Sequence, residues 1–193
     1  MRMPVIILAL ATSAALASPG GERRPLVLDD FSRSDGVSTL GPRWQFFTDG
    51  VMGGRSSGQA SVIDWDGRRC IRLRGKVSLE NNGGFIQARL PLAGRWSSMD
   101  ASSYTGVRFL ARGNGETYAI HLRTAHTMLP WQFYQADFSA GPRWSEVRIP
   151  FSKFRPASLR RPLDPSRLTS VALVAIKKEM IADVAIAQLE LYR

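Results

Sequence analysis

Turn signals recur along this chain about every ten residues, and the runs between them alternate apolar and polar side chains. Asp66-Gly67 divides "GQASVIDWDGRRCIRLRG" into two runs, a type I′ hairpin signal. Asn81-Asn82-Gly83-Gly84 divides "KVSLENNGGFIQARLPL" into another pair, and "TGVRFLARGNGETYAIHLRT" turns at Gly113-Asn114-Gly115. "PLVLDDF", "RWQFFTD", "PWQFYQADF", "WSEVRIPF", "TSVALVAI" and "VAIAQLELYR" are further strand candidates. In "TYAIHLRT", Tyr118, Ile120 and Leu122 share one face, and Ala119, His121 and Arg123 the other. No window offers a long amphipathic helix. "SRLTSVALVAIKKEM" comes nearest, and its continuous apolar run fits a buried strand equally well. The Pro- and Arg-rich "RPASLRRPLDPSR" is expected as a surface loop. Short strands at this spacing predict an all-β sandwich or barrel.

The N-terminus is a separate matter. Residues 1–17 carry one Arg, an apolar run from Val5 to Leu10 and the small-residue pattern Ala15-Leu16-Ala17. That is the pattern of a secretory signal peptide, and the run is too short to span a membrane. A periplasmic or secreted protein is expected, with one domain over residues 18–193. Its single cysteine, Cys70, excludes an internal disulfide, and beside Ile71 and Leu73 it reads as a small packed side chain.

The chain holds 26 basic and 16 acidic residues, a formal charge of +10. The cations are scattered and not interleaved with aromatics, so nucleic acid is not an expected partner. An anionic membrane surface stays open as one.

Catalytic chemistry is poorly supplied. His121 and His126 lie five apart, on opposite faces of one strand unless a turn intervenes, and lack a zinc-site spacing. No nucleophile-elbow motif occurs. Two distant carboxylates acting on a glycan would leave no local sign. No enzyme activity and no cofactor are therefore expected. Asp29-Asp30 leaves a structural Ca²⁺ open, although the other oxygen ligands cannot be named.

"DGVMGGRSSG", from Asp49 to Gly58, fits neither strand nor helix. It lacks the spacing of a phosphate loop. Together with "KVSLENNGGFIQARL", "GVRFLARGNGETYAIHLRT" and "YQADF…W…VRIPFSKFRP", it resembles the complex I intermediate-associated protein 30 domain, over roughly Leu28 to Tyr192. The resemblance implies a jelly-roll β-sandwich of the galactose-binding-domain-like type, similar to carbohydrate-binding modules. It also implies a non-catalytic assembly chaperone for respiratory complex I, here acting in the bacterial envelope. Two departures bear on the partner: the export signal, and the lack of a Gly-Pro-Phe stretch before the last strand.

Asp49, Gly50, Met52, Gly53, Gly54, Arg55 and Ser56 match the family's first motif. Glu80, Asn81, Asn82, Gly83, Gly84 and Phe85 match its second. Two roles are open for them: clamping each other across the sandwich, with Arg55 held by Glu80, or holding something else. The alternative function is a carbohydrate-binding module, with Trp131, Tyr134, Trp96 and Tyr104 as stacking aromatics and Trp44, Trp65 and Trp144 in the core. An enzyme acting on an envelope glycan ranks last. The binding candidates are Asp49, Met52, Arg55, Glu80, Asn81, Asn82, Arg123, Trp131 and Tyr134. The expected partner of this monomer is a protein, such as a membrane respiratory complex, or else a glycan. "RTAHTMLPWQFYQADF" is the segment expected to face it.

Overall fold

The computed structural model describes residues 24–94 and 97–193. The expected export leader and Trp96 lie outside them. Twelve strands follow in chain order: Leu26–Asp29 (β1), Gln45–Thr48 (β2), Ser57–Trp65 (β3), Arg68–Val77 (β4), Phe85–Pro91 (β5), Gly106–Gly113 (β6), Thr117–Thr124 (β7), Phe133–Ser139 (β8), Ser145–Pro150 (β9), Arg155–Ala157 (β10), Leu168–Ile176 (β11) and Met180–Tyr192 (β12). They form two antiparallel sheets. The first has the order β3-β4-β12-β6-β9, with β1 paired to the far end of β12. The second has the order β10-β8-β7-β11-β5-β2.

The predicted all-β jelly-roll sandwich is therefore the fold. Asp66 and Gly67 both take positive φ, 53° and 73°, as the tight β3–β4 hairpin requires. Two connections differ from the sequence reading. The Gly113-Asn114-Gly115 turn and the Asn81–Gly84 break do not close hairpins; each carries the chain from the first sheet to the second. Turn chemistry fixes where a chain reverses, but not whether the next strand pairs beside the last or packs over it. Within "RPASLRRPLDPSR", Arg155–Ala157 is not loop but a short edge strand on β8. Its proline is tolerated there because an edge strand leaves one side of its backbone unpaired.

The two sheets bury the apolar residues of their facing sides. Tyr118, Ile120 and Leu122 of β7 and Leu173 of β11 meet Leu73, Phe109, Val184 and Ile186 of the first sheet in one core. Each such side chain contributes about 1.5–3 kcal/mol through burial. Phe109 and Phe138 meet edge to face across the layers, with centroids 5.0 Å apart. The continuous apolar run of β11 resolves as a strand because both its faces are covered. Trp44 lies in this core as expected, donating its indole N–H to Asp29 at 2.7 Å. Trp65 and Trp144 do not. They pack edge to face on the outer side of the first sheet, beside the fully buried Cys70. Burial pushes the Cys70 thiol up to about 11, so it is inert packing.

Polar contacts also cross the layers, one of them through Tyr118. The Tyr118 hydroxyl donates to Asn114 Oδ1 at 2.6 Å and accepts the Asp183 backbone N–H of β12 at 3.0 Å. Tyr118→Phe leaves both partners unsatisfied. We expect a loss of about 1–2 kcal/mol, read as a shift of the urea midpoint at unchanged slope.

Candidate functional site

Two places are built differently from the rest of the sandwich. The first is the pair of loops bearing the glycine-rich motifs. The β2–β3 loop begins as a 3-10 turn over Asp49–Met52, and the β4–β5 loop holds a second over Glu80–Asn82. Both cross between the sheets, and Asp49 ties them together. Asp49 is fully buried. Its Oδ1 accepts the Ser56 N–H at 2.9 Å. Its Oδ2 accepts the Ser56 hydroxyl, the Gly84 N–H at 2.6 Å and the Phe85 N–H at 3.3 Å. Ser56 Oγ in turn accepts the Ser78 N–H at 3.0 Å. Burial would raise the Asp49 carboxyl, but the bonds from Ser56, Gly84 and Phe85 outweigh it and hold the group below the ordinary carboxylate value.

This geometry explains the glycines. A Cβ on Gly54 would strike the Asp49 carboxylate carbon, and one on Gly83 would strike Asp49 Oδ2. Arg55 and Glu80 do pair, at 3.3 Å, which is the mark of mutual clamping. Both are well exposed, so that pair is minor. Asn81 takes the left-handed conformation and donates to the Gly53 carbonyl at 3.4 Å. Met52 stands out into solvent beside Val51 on one loop, and Leu79 on the other. The Asn82 side chain lies outside what the structure describes.

Asp49 is thus a fold residue, not a ligand contact, since both its oxygens are spent on the protein's own donors. Tyr134 is corrected likewise. It lies wholly inside the core, with its hydroxyl donating to the Pro162 carbonyl at 3.2 Å. Tyr104 packs against the core with the Arg193 guanidinium 4.5 Å over its ring. The Asp29-Asp30 pair serves the fold as well. Asp29 takes the Trp44 indole N–H and the Phe31 N–H, and Asp30 caps Ser32.

The second place is the outer face of the second sheet. Strand alternation sets Gln45 and Phe47 of β2, Phe85, Gln87 and Arg89 of β5, Ala119, His121 and Arg123 of β7, and Phe133, Gln135 and Asp137 of β8 on one surface. Ala119, Ala172 and Val174 form its low apolar floor. His121 stacks on Phe133, with centroids 3.9 Å apart at 10°. His121 Nε2 meets Gln135 Oε1 at 3.3 Å, and Gln135 Nε2 donates to Asp137 at 2.7 Å. Burial lowers His121 from the ordinary 6.5 to about 3, with Lys177 adding to the effect against the Gln135 bond. The ring is neutral at pH 7, so Nε2–H is the donor to Gln135.

Of the sequence candidates, this face gathers Arg123 and borders Trp131. Arg123 donates to the carbonyls of Thr127 and Leu129, both at 2.9 Å, and so pins the β7–β8 loop. That loop exposes Met128, Leu129 and Trp131, as the segment from Arg123 to Phe138 predicted. Sequence reading missed Arg89, Gln87, Gln135 and Phe133. The signal for them was present: alternation in "FIQARL" and "FYQADF" places them opposite the core residues.

The sequence profile described as Complex I intermediate-associated protein 30 matches residues 30–184. No curated protein matches the sequence. Among solved structures, the fold is similar to the family 11 carbohydrate-binding module of a Clostridium thermocellum cellulosomal cellulase. That match has a TM-score of 0.66 at 14% identity, over 91% of this chain and 96% of that one. The same module in complex with a β-1,3-1,4-mixed-linked tetrasaccharide aligns with a TM-score of 0.65 at 14% identity, over 87% and 95%. A family 30 carbohydrate-binding module of a C. thermocellum cellulase aligns with a TM-score of 0.53 at 18% identity, over 72% and 90%. At these identities the likeness is one of fold.

Two outcomes are expected of variants here. Asp49→Ala orphans four buried donors and should cost about 3 kcal/mol or more in urea unfolding. Below pH 6.5 the unfolded chain protonates a histidine that the folded chain keeps neutral down to about 3. Stability should therefore fall as pH drops from 6.5 towards 4, and His121→Gln should flatten that slope.

Proposed function

The chain belongs to the complex I intermediate-associated protein 30 family, and from that premise we propose that it is a non-catalytic binding module of the bacterial envelope, whose ligand is a glycan held on the outer face of the second sheet. One observation carries this reading. The face combines a floor of small residues, Ala119 and Ala172, with amide and guanidinium donors and a half-buried aromatic, Phe133. Sugars present the complement: hydroxyls around the ring edge and apolar C–H faces. Trp131, half exposed at the border, adds a second stacking surface. The similarity of the sandwich to modules named for carbohydrate binding, one solved with a tetrasaccharide, supports it.

The distribution of acids supports a non-catalytic role. Asp137 is the one carboxylate among the strand residues of this face. Hydrolysis of a glycosidic bond needs two acting together. The leader-like pattern of residues 1–17 supports an envelope location.

Calorimetry against a panel of cell-envelope and plant glycans tests the reading. At least one oligosaccharide should bind, and Trp131→Ala or Phe133→Ala should weaken it by about 0.5–1.5 kcal/mol without changing the thermal midpoint much for Trp131. A flat response across the panel removes the proposal.

A second reading, an assembly factor for a membrane respiratory complex, is favoured by Val51, Met52 and Leu79. These stand exposed on the two loops that Asp49 joins. Three apolar side chains held in water on a rigid clasp suit a protein surface. Replacing Val51 and Met52 by Ser should leave stability within about 0.5 kcal/mol and abolish cross-linking to a membrane complex in the native host. Unchanged cross-linking would speak against it.

A further inference from the structure

The arginines of the two outer sheet faces are paired with carboxylates to different extents. On the first sheet, Arg72 and Arg74 meet Asp183, Arg108 meets Glu190, Arg112 meets Asp66 and Arg148 meets Glu146. Those five guanidiniums each have a carboxylate; Arg68, at the exposed start of β4, has none among the described residues. On the second sheet, Arg89 and Arg123 meet none among the described residues. They flank β11 from opposite sides: Arg89 is opposite Ala172, and Arg123 is opposite Ser170, one position along the same face. Arg89 donates one N–H to Gln45 at 2.9 Å and lies 4.4 Å over the Phe47 ring. Arg123 spends Nε and Nη2 on the β7–β8 loop, leaving its Nη1 N–H groups without a protein acceptor among the described residues.

Both guanidiniums are partly withdrawn from water, and burial lowers both, with the charge of Arg89 further lowering Arg123. Holding two like charges near each other over an apolar floor is unfavourable unless something compensates it. Lys177, bonded to Gln135 at 3.3 Å, adds a third cation at the rim. Asp137 is already bonded to Gln135. Between the two arginines, positions 170 and 172 of β11 carry only the small side chains of Ser170 and Ala172, both buried beneath their neighbours.

We propose that Arg89 and Arg123 together bind an oxyanion on the glycan, a carboxylate or sulfate group seated over Ser170 and Ala172, so that the ligand class is an acidic polysaccharide. The proposal rests on the glycan reading of this face and narrows it. A guanidinium reads an oxyanion through a planar fork of N–H donors, and one such side chain stands on either side of β11. Gln87 and Gln135 lie on the same surface for the neutral hydroxyls of the ring. Trp131 lies at the end of the face where Arg123 anchors its loop.

The test uses the full mature chain and calorimetry with four probes: a uronic-acid oligosaccharide, its carboxyl-reduced neutral counterpart, a sulfated galactan oligosaccharide, and an oligoglutamate peptide. The acidic sugars should bind at least about tenfold tighter than the reduced one, and affinity should fall with added salt. The uronate and sulfated arms say which oxyanion the site prefers. Arg89→Gln should lose about tenfold on the acidic sugar and clearly less on the reduced one; Arg123→Gln, which also frees the loop carrying Trp131, should weaken both, the acidic sugar more. Arg89→Lys keeps the charge and should recover only part of the loss. Arg89→Gln should also leave the thermal midpoint unchanged or raise it, because it removes repulsion from Arg123. Equal binding of acidic and reduced sugars overturns the oxyanion and leaves the glycan reading standing. Binding of no sugar overturns both. Oligoglutamate binding alone, with the same arginine dependence, assigns the face to a protein instead.

Discussion

The Asp49 carboxylate is the point on which this sandwich is organised. A buried charge is tolerated only when its oxygens are fully engaged. Here they receive two bonds from Ser56 and one each from Gly84 and Phe85. Those donors come from two different crossings between the sheets. The consequence reaches well past the loop. Gly84 and Phe85 start β5, so the carboxylate fixes where that strand begins. β5 pairs with β11 over seven residues and with β2 over four. Starting it one residue later would turn Phe85, Gln87 and Arg89 inward and Ile86, Ala88 and Leu90 outward. The composition of the outer face is in this sense set by a buried acid at its end.

The clasp also separates two kinds of glycine-rich loop. A loop that cradles a ligand turns its N–H groups outward to a shared centre. In this chain the N–H groups of Ser56, Gly84 and Phe85 converge on a centre that the chain supplies itself. Glycine is needed at positions 54 and 83 because the carboxylate occupies the space where a side chain would begin. The N–H groups of Ser56, Gly84 and Phe85 are spent on Asp49, and the large apolar side chains left facing water on these loops are Val51, Met52 and Leu79.

The fold was legible in the sequence because strand alternation and turn chemistry are local. Tyr118, Ile120 and Leu122 were assigned to the core side from spacing alone, and Asp66-Gly67 to a tight hairpin. Pairing was less legible. Nothing local distinguishes the β3–β4 turn, which stays in one sheet, from the Gly113–Gly115 turn, which changes sheets. The extent of β4 shows the same limit: Lys76 and Val77 complete it across Gly75 instead of opening a new strand. The site was legible only in part. Arg123 was singled out, while Arg89 was passed over, because a lone arginine in an alternating strand reads as a solvated surface cation. Its meaning comes from the absence of a carboxylate across three strands, which is a property of the assembled sheet. Tyr134 failed for the converse reason: its aromatic ring fits a binding surface and a core equally well, and strand phase put it inside.

The residues that mark the family are therefore not the residues that would select a ligand. Asp49, Gly54, Ser56, Gly83 and Gly84 are used up in holding two crossings together. Any chain that keeps them keeps the sandwich and the phase of β5, whatever its outer face carries. The outer positions of β5, β7 and β8 obey only alternation, so a glutamine, an arginine or an aromatic can stand there without disturbing the core. A fold specified in this manner can present neutral, acidic or protein-binding surfaces on one frame. In this chain the frame carries two half-buried guanidiniums on the strands either side of β11, at the level of Ala172 and Ser170. On the opposite face five arginines are each met by a carboxylate.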